Sequence, residues 1–329
     1  MNFQQLRSIR ETVRRGYNLT DVAQVLHTSQ PGVSRQIREL EQELGVDFFI
    51  RNGKRLTGLT PPGAELLPIV ERLLQESDNL RQAVLDFSQR QEGQLSIAAT
   101  HSQARYALPH VVRDFRALFP KVTLHLHQGS PKQVAAMLIS GEADIGVATE
   151  ALADYQQLVT LPCYRWTHSI VVPKGHALLQ ELRDSGQPLS LAQLARYPII
   201  TYELGYTGRS HIDQAFRSAG QQPDVVLTAM DADVIKTYVE LGMGVGIVAS
   251  IALDDKQEAL EYIDAGHLFQ VNVTRLGLRK GAWLRNYAYE FIQTFVPTLK
   301  PEVVRQALQE ANSGDGADGE DALENALAI

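Results

Sequence analysis

Between Thr28 and Gly45 the chain reads Thr28-Ser29-Gln30-Pro31, then Val33, Ile37, Leu40 and Leu44 at steps of four, three and four. At 100° per residue those apolar side chains fall on one narrow stripe of a helix. Ser29 is placed to cap it, and Pro31 sits in the first turn, where its missing N–H has no intrahelical partner. Gly45 ends it. Pro31, Ser34, Arg35 and Arg38 fall on the other side. One face packs; the other carries a hydroxyl and two guanidinium groups.

The flanks extend this unit. Phe3, Leu6, Ile9, Arg10 and Val13 have helical spacing over 3–15, and Asn18 is an N-cap for a helix through Val22, Ala23, Val25 and Leu26. After Gly45 come two short strand-like runs joined by Asn52-Gly53, a hairpin signal in which both turn positions want φ > 0. Arg51, Lys54 and Arg55 surround its tip. A helix-turn-helix followed by a basic hairpin is a winged helix-turn-helix over residues 1–60. Its third helix fits a major groove, and its wing reaches phosphate or minor groove. The competing reading is a helical hairpin with a solvated basic face. Residues 1–55 hold nine Lys+Arg against six Asp+Glu, +3 on a chain whose net charge is −7, which suits a nucleic-acid module but equally ordinary charge variation. The combination of cap, stripe, basic face and wing decides for the first.

From Pro61 the spacing predicts a helix to about Gln91, a linker over 61–92. Leu66, Val70, Leu73, Ser77, Leu80, Val84 and Phe87 alternate steps of four and three, a heptad seam with one polar position. It reads as a dimerisation helix roughly 40 Å long, against the alternative of a long helix packed on its own domain. Glu92-Gly93 breaks it.

From residue 93 the pattern changes to alternating strands and helices. Strands are predicted at 94–100, 122–127, 144–149, 169–172, 199–202, 225–229, 245–248 and 274–278. Helices fall near 106–115, 134–138, 191–195, 210–219, 234–241 and 283–295. This is an α/β pattern with mostly parallel sheets and helices on both faces. It fits a two-lobed, periplasmic-binding-protein-like domain over 93–300, with lobe I at 93–164 and 266–300 and lobe II at 165–265. Ligands in such sheets sit at the C-terminal ends of strands. Thr100, Thr149 and Thr201 end strands, and Thr100, Ser102 and Gln103 open a helix, where free N–H groups favour an anion. Thr207-Gly208-Arg209-Ser210 opens another. Residues 301–329 read as an acidic, largely disordered tail; 310–329 hold six acids and no Lys or Arg.

The run Ala23…Thr28-Ser29-Gln30-Pro31-Gly32-Val33-Ser34-Arg35-Gln36-Ile37…Leu40-Glu41…Leu44-Gly45…Phe48-Phe49-Ile50-Arg51 resembles the DNA-binding domain of LysR-type transcriptional regulators. The strings Thr100-His101-Ser102-Gln103-Ala104-Arg105-Tyr106, Gln128-Gly129-Ser130-Pro131, Leu161-Pro162-Cys163-Tyr164, Tyr206-Thr207-Gly208-Arg209-Ser210 and Asp231-Ala232-Asp233-Val234 resemble the CysB-type branch, which controls sulfur assimilation. The likeness covers about residues 1–300. It implies DNA contacts from Thr28, Ser29, Gln30, Pro31, Ser34, Arg35, Arg38, Arg51, Lys54 and Arg55. It also implies an effector site at Thr100, Ser102, Gln103, Thr149 and Thr201, where the family usually has threonine at the position of Ser102. Sulfate, thiosulfate, acetylserine and adenosine phosphosulfate are the effectors it brings, with no cofactor. Its implied partners are double-stranded promoter DNA, further copies of the chain in a homotetramer (a dimer of dimers), and RNA polymerase.

Other signals carry less. Gly242-Met243-Gly244-Val245-Gly246 follows a helix and precedes a strand, the reverse of a dinucleotide fingerprint. His125 and His127 share one side of a strand without further metal-ligand spacing, so no metal is expected. The one cysteine, Cys163, reads as a buried small apolar residue. No run approaches the roughly 18–20 apolar residues of a membrane span, and MNFQQLRSIR has no signal-peptide core. A cytoplasmic regulator without enzymatic activity is expected. The alternative is a solute-binding protein or enzyme on the same clamp, which residues 1–60 disfavour.

Overall fold

The chain divides into two compact units, residues 1–89 and 90–329. The computed structural model describes residues 1–53, 55–87, 92–253 and 258–313.

The first unit contains α1 (Phe3–Arg14), α2 (Leu19–Val25), α3 (Gln30–Leu44), β1 (Phe49–Asn52), β2 (Arg55–Leu59) and α4 (Pro61–Phe87). Local chemistry sets the helix starts. Asn2 and Gln5 form a capping box on α1. Asn18 Oδ1 accepts the Thr20 N–H at 3.1 Å, and Ser29 Oγ accepts the Gly32 N–H at 3.2 Å. Leu6, Ile9, Val22, Val33, Ile37, Leu40, Phe48, Phe49 and Leu56 make the core, with Val70 and Leu74 of α4. Leu44, the last member of the α3 stripe, lies outside it and is exposed.

Two expectations change here. Asn52 pairs with Arg55 in the β1–β2 ladder, so it belongs to the strand rather than to the turn. Gly53 has φ +60°, whereas Asn52 stays in the ladder. The heptad seam of α4 also splits. Val70 is buried in the core and Leu66 packs against it, whereas Leu73, Leu80 (67% exposed) and Val84 (58%) face outward beside Ile69. The start of α4 lies hard on Phe48, the residue that leads into β1. A Cβ at Gly63 would come within 2.2 Å of the Phe48 carbonyl oxygen, which only glycine avoids.

In the second unit, lobe I contains β3 (Gly93–Ala99), α5 (Leu108–Leu118), β4 (Val122–Gln128), α6 (Pro131–Ser140), β5 (Ile145–Thr149) and β6 (Leu158–Trp166). Lobe II follows with β7 (His168–Pro173), α7 (Ala177–Ser185), α8 (Leu191–Leu194), β8 (Pro198–Tyr202), α9 (Thr207–Ser218), β9 (Asp224–Ala229), α10 (Ala232–Glu240), β10 (Val245–Ala249) and β11 (Leu260–Asp264). The chain then returns to lobe I through β12 (Asn272–Arg279), α11 (Asn286–Phe295) and α12 (Pro301–Ser313). The sheets run β4-β3-β5-β12-β6 and β11-β7-β10-β8-β9. Each lobe has its own apolar core.

The sheets are mixed rather than mostly parallel. β3–β4, β3–β5, β10–β8 and β8–β9 are parallel, while every ladder made by β7 or β12 is antiparallel. β7 and β12 directly follow the two crossings between lobes, so each enters its sheet in the opposite sense. The crossings fall at Thr167, a little beyond the expected 164, and between Asp264 and Asn272, an interval that includes the expected 266. The acidic tail is corrected as well. Residues 301–313, expected to belong to it, form α12, whose Val304 and Leu308 are buried in the lobe I core. Residues 314–329, the rest of that expected tail, lie outside the described residues.

Candidate nucleic-acid interface and ligand pocket

On the first unit, the residues expected on the outer side of α3 are where the stripe puts them. Thr28, Ser29, Gln30, Pro31, Arg35 and Arg38 are exposed and Ser34 is half-buried. The Arg35 side chain is 81% exposed, and its Nε donates to Glu39 Oε1 at 2.7 Å one turn along. An exposed pair of this kind holds its partners weakly, so the guanidinium is available to a stronger acceptor. Arg55 is exposed on the wing; Lys54 lies outside the described residues.

Arg51 is exposed as well, but it has a buried partner. Its Nη2 donates to Glu41 Oε2 at 2.6 Å, and the Glu41 side chain is only 5% exposed. Glu41 Oε1 accepts the N–H groups of Phe48 and Phe49 at 2.9 and 3.3 Å. One carboxylate on the inner flank of α3 thus ties down the entry to the wing. Glu41 lies one residue beyond Leu40 of the apolar stripe, so spacing alone gives it no reason to be buried.

In the second unit, Thr100, Ser102, Gln103 and Thr149 come together in a cleft between the lobes. His101, Pro131, Trp166, Tyr202, Tyr206, Gly208, Met230 and Ala249 complete it, around 450 Å³ of space partly open to solvent. Thr100 and Thr149 are set there by the ends of the neighbouring parallel strands β3 and β5. Thr100 N–H donates to the Val147 carbonyl at 3.1 Å, and its own carbonyl accepts from Ala104 N–H at 3.0 Å, so it turns the chain from strand into helix. The helix begins at His101 and passes through a π-helical turn, Gln103–Ala107, before α5. Such turns recur at functional sites.

Gln103 reaches the cleft, but its amide is committed. Nε2 donates to Thr274 Oγ1 at 3.0 Å, and Oε1 accepts from the Tyr164 hydroxyl. Trp166 Nε1 donates to the same Thr274 oxygen at 3.2 Å. Gln103 therefore braces the cleft against β6 and β12, where the chain crosses between lobes. Thr201 is the expected site residue that does not line the cleft. It is fully buried, and its hydroxyl has no hydrogen-bond partner among the described residues. Its neighbour Tyr202 lines the cleft instead, because successive side chains of a strand point to opposite faces. The Tyr202 oxygen accepts the Ala249 N–H at 3.0 Å and is hydrogen-bonded to Ser102 of the other lobe. Burial pushes this phenol up to about 12.

Formal charge stays at the margin. Arg209 is turned away, with Nε on Asp213 at 2.7 Å and Nη1 on the Tyr202 carbonyl at 2.8 Å. His168 lies behind Gly208, where a Cβ would approach its Nε2 to 3.0 Å. It is fully buried with no partner for either ring nitrogen among the described residues, and burial pushes it down to about 3. His101, Asp231 and Asp233 bring metal-ligand atoms within 4.8 Å of one another. Yet Asp233 already holds Lys236 Nζ at 3.1 Å and Arg105 Nε at 3.3 Å, so this is an ion-pair network with its cations built in. Cys163 is buried, which raises its thiol pKa and disfavours a reactive thiolate.

What the arrangement can do is hold a small polar molecule by neutral hydroxyls and backbone N–H groups. Among the described residues no helix is long and apolar enough to cross a membrane.

Residues 3–64 match the family model of the bacterial regulatory helix-turn-helix protein, lysR family, and residues 88–300 match that of the LysR substrate binding domain. The chain is 57% identical over 312 residues to the HTH-type transcriptional regulator SsuR of Burkholderia cenocepacia, spanning 94% of this chain and 100% of the relative. It is 51% identical to CysB of the same organism over 94% of this chain and 97% of CysB. With the Escherichia coli regulator cbl the figures are 49%, 95% and 98%. Among solved structures, the cofactor-binding domain of the Cbl transcriptional regulator superposes with a TM-score of 0.63 at 46% identity, covering 67% of this chain and 94% of that one. Full-length CbnR complexed with its target DNA shares the fold at a TM-score of 0.56 and 20% identity, over 91% of this chain and 100% of that one.

Proposed function

The chain belongs to the LysR family of transcriptional regulators, and from that premise we propose that it binds promoter DNA of sulfur-assimilation genes under the control of a small effector held in the interlobe cleft. The observation that carries the effector reading is the meeting of Thr100, Ser102 and Thr149 in one cleft with no guanidinium or ammonium among its lining residues. Neutral donors at strand ends and a helix start suit an oxyanion or a small zwitterion. Sulfate, thiosulfate, acetylserine and adenosine phosphosulfate are the candidates, and the affinity expected of a few neutral hydrogen bonds is micromolar to millimolar. Thr201 belongs to this reading only if its hydroxyl turns toward a bound ligand; Gln103 contributes its backbone while its side chain braces the wall.

The DNA-contacting set is Thr28, Ser29, Gln30, Pro31, Ser34, Arg35 and Arg38 of the recognition helix with Lys54 and Arg55 of the wing. Arg51 acts there chiefly by fixing the wing through Glu41. Assembly is a homotetramer through α4 and the effector domains, RNA polymerase is the partner at the promoter, and the chain is a cytoplasmic regulator rather than an enzyme.

Two experiments test this. Footprinting on sulfur-gene promoters tests the target class: protection no better than on unrelated DNA refutes it. Calorimetry with sulfate, thiosulfate and acetylserine tests the cleft. Thr100→Val, nearly isosteric, is expected to weaken the tightest of these at least tenfold with thermal unfolding unchanged. Wild-type affinity in that variant places the effector elsewhere.

A further inference from the structure

The helix that carries Ser102 into the cleft also carries Tyr106, which leaves its own lobe. The segment Gln103–Ala107 follows the wider i→i+5 turn, with the Leu108 N–H donating to the Gln103 carbonyl. That turn opens the angle between positions 103 and 106. Gln103 points to β6 and β12 in lobe I, while the Tyr106 ring packs on the lobe II core. There its hydroxyl donates to Asp233 and accepts from Lys236 Nζ at 2.8 Å.

Lys236 is only 2% exposed, and its ammonium has three acceptors: Asp233 at 3.1 Å, the Ala252 carbonyl at 3.1 Å and the Tyr106 oxygen. Two belong to lobe II; the third comes from lobe I. A buried ammonium that loses an acceptor bears the cost of an unsatisfied charged donor. Separating the lobes takes the phenol from both Lys236 and Asp233. The other charged or titratable groups facing this point are Arg105, 3.3 Å from Asp233, and His101, 3.6 Å from Asp233 and 4.0 Å from Asp231. Both come from lobe I, and the Arg105 guanidinium reinforces the same closure. Burial would raise Asp233, but Tyr106, Lys236 and Arg105 outweigh it and hold the carboxyl at about 2.

We propose that Tyr106, clasped by Asp233 and Lys236, holds the two lobes closed over the cleft, and so is a positioning residue that sets how tightly any effector is retained. The proposal rests on the cleft being the effector site. A residue that contacts the ligand changes the ratio of affinities between ligands. A residue that sets only the closed population multiplies every apparent dissociation constant by one factor.

The test uses the full-length chain with Tyr106→Phe and Asp233→Asn, singly and together, and sulfate and thiosulfate as probes. Calorimetry is expected to show both probes weakened about tenfold by Tyr106→Phe, with their ratio unchanged, and the double variant no weaker than the worse single. Thr100→Val should change that ratio. Hydrogen exchange without ligand is expected to quicken in 101–107 and 231–240 of Tyr106→Phe, while β3 and β8 keep their protection. Unchanged exchange in those segments overturns the clasp, as does a change in the probe ratio or additive losses. If wild type binds neither probe, the cleft reading fails on its own, and the exchange measurement alone decides the clasp.

Discussion

Arg35 and Arg51 are both arginines near the expected DNA face, yet their neighbours give them different work. Arg35 is exposed and weakly held by Glu39, so Arg35→Ala should cost roughly 1–3 kcal/mol at a specific site, as for a lost bidentate base contact. Arg55→Ala should weaken binding on all sequences alike and flatten the salt slope by about one unit. Gel shifts across a salt series separate the two; equal loss on specific and random DNA for Arg35→Ala removes it from the groove. A second residue-scale expectation concerns His168, which burial holds near 3 against an ordinary 6.5. Above pH 6.5 the imidazole is neutral in both folded and unfolded chains and has no effect on the balance. Below it the unfolded chain takes up a proton that the folded chain refuses, so stability falls as pH drops from 6.5 toward 3. At pH 5 the loss is about 2 kcal/mol. His168→Phe keeps an aromatic ring against Trp166 and Phe269, each 5.3 Å away between centroids. It should therefore lose less stability than wild type between pH 7 and 5 in denaturant titrations; identical slopes would show that His168 is not the group responsible.

Among the elements, the wing depends most on one buried group. Glu41→Ala leaves the Phe48 and Phe49 N–H groups and the Arg51 guanidinium without their acceptor, a loss expected to cost about 3 kcal/mol. Urea unfolding of the variant measures it, and a change under 1 kcal/mol would mean that solvent replaces the carboxylate. How far such elements were legible depended on whether their signal was local. The caps at Asn18 and Ser29, the α3 stripe from Val33 to Leu40 and the strand end at Thr149 are local patterns that reappear in the structure, and β3 ends at Ala99, one residue before Thr100. β6 carries Pro162, a residue that argues against a strand; it forms nonetheless because β6 is a sheet edge and its ladder with β12 slips between Thr274 and Arg275, opposite that proline. With β6 unseen, Trp166 could not be placed in the cleft. α12 was masked by the acidic composition beyond it, although Val304, Ala307, Leu308 and Ala311 repeat at helical steps. Tyr202 rather than Thr201 lines the cleft; a strand end alone does not say which face looks into it.

At the level of the whole molecule, α4 divides its apolar residues between two tasks: Val70 and Leu74 complete the first unit's core, and Leu80 and Val84 stand exposed farther along. Leu80→Asp should therefore dissociate the assembly without unfolding the subunit, seen as a smaller mass by light scattering with unchanged helical circular dichroism. An unchanged mass would move the contact off α4. The lobes differ in another respect. Lobe II is built from one uninterrupted stretch, β7 to β11, whereas lobe I needs β12 inserted between β5 and β6, with lobe II spelled out in between. A ribosome finishes lobe II before lobe I has the strand that lies between β5 and β6. Until residue 279 emerges, β5 and β6 lack the strand that joins them, an open edge of the kind that invites wrong pairing. Synthesis order thus makes the later lobe the vulnerable one in the newborn chain, even though its first residues are made before any of its neighbour's.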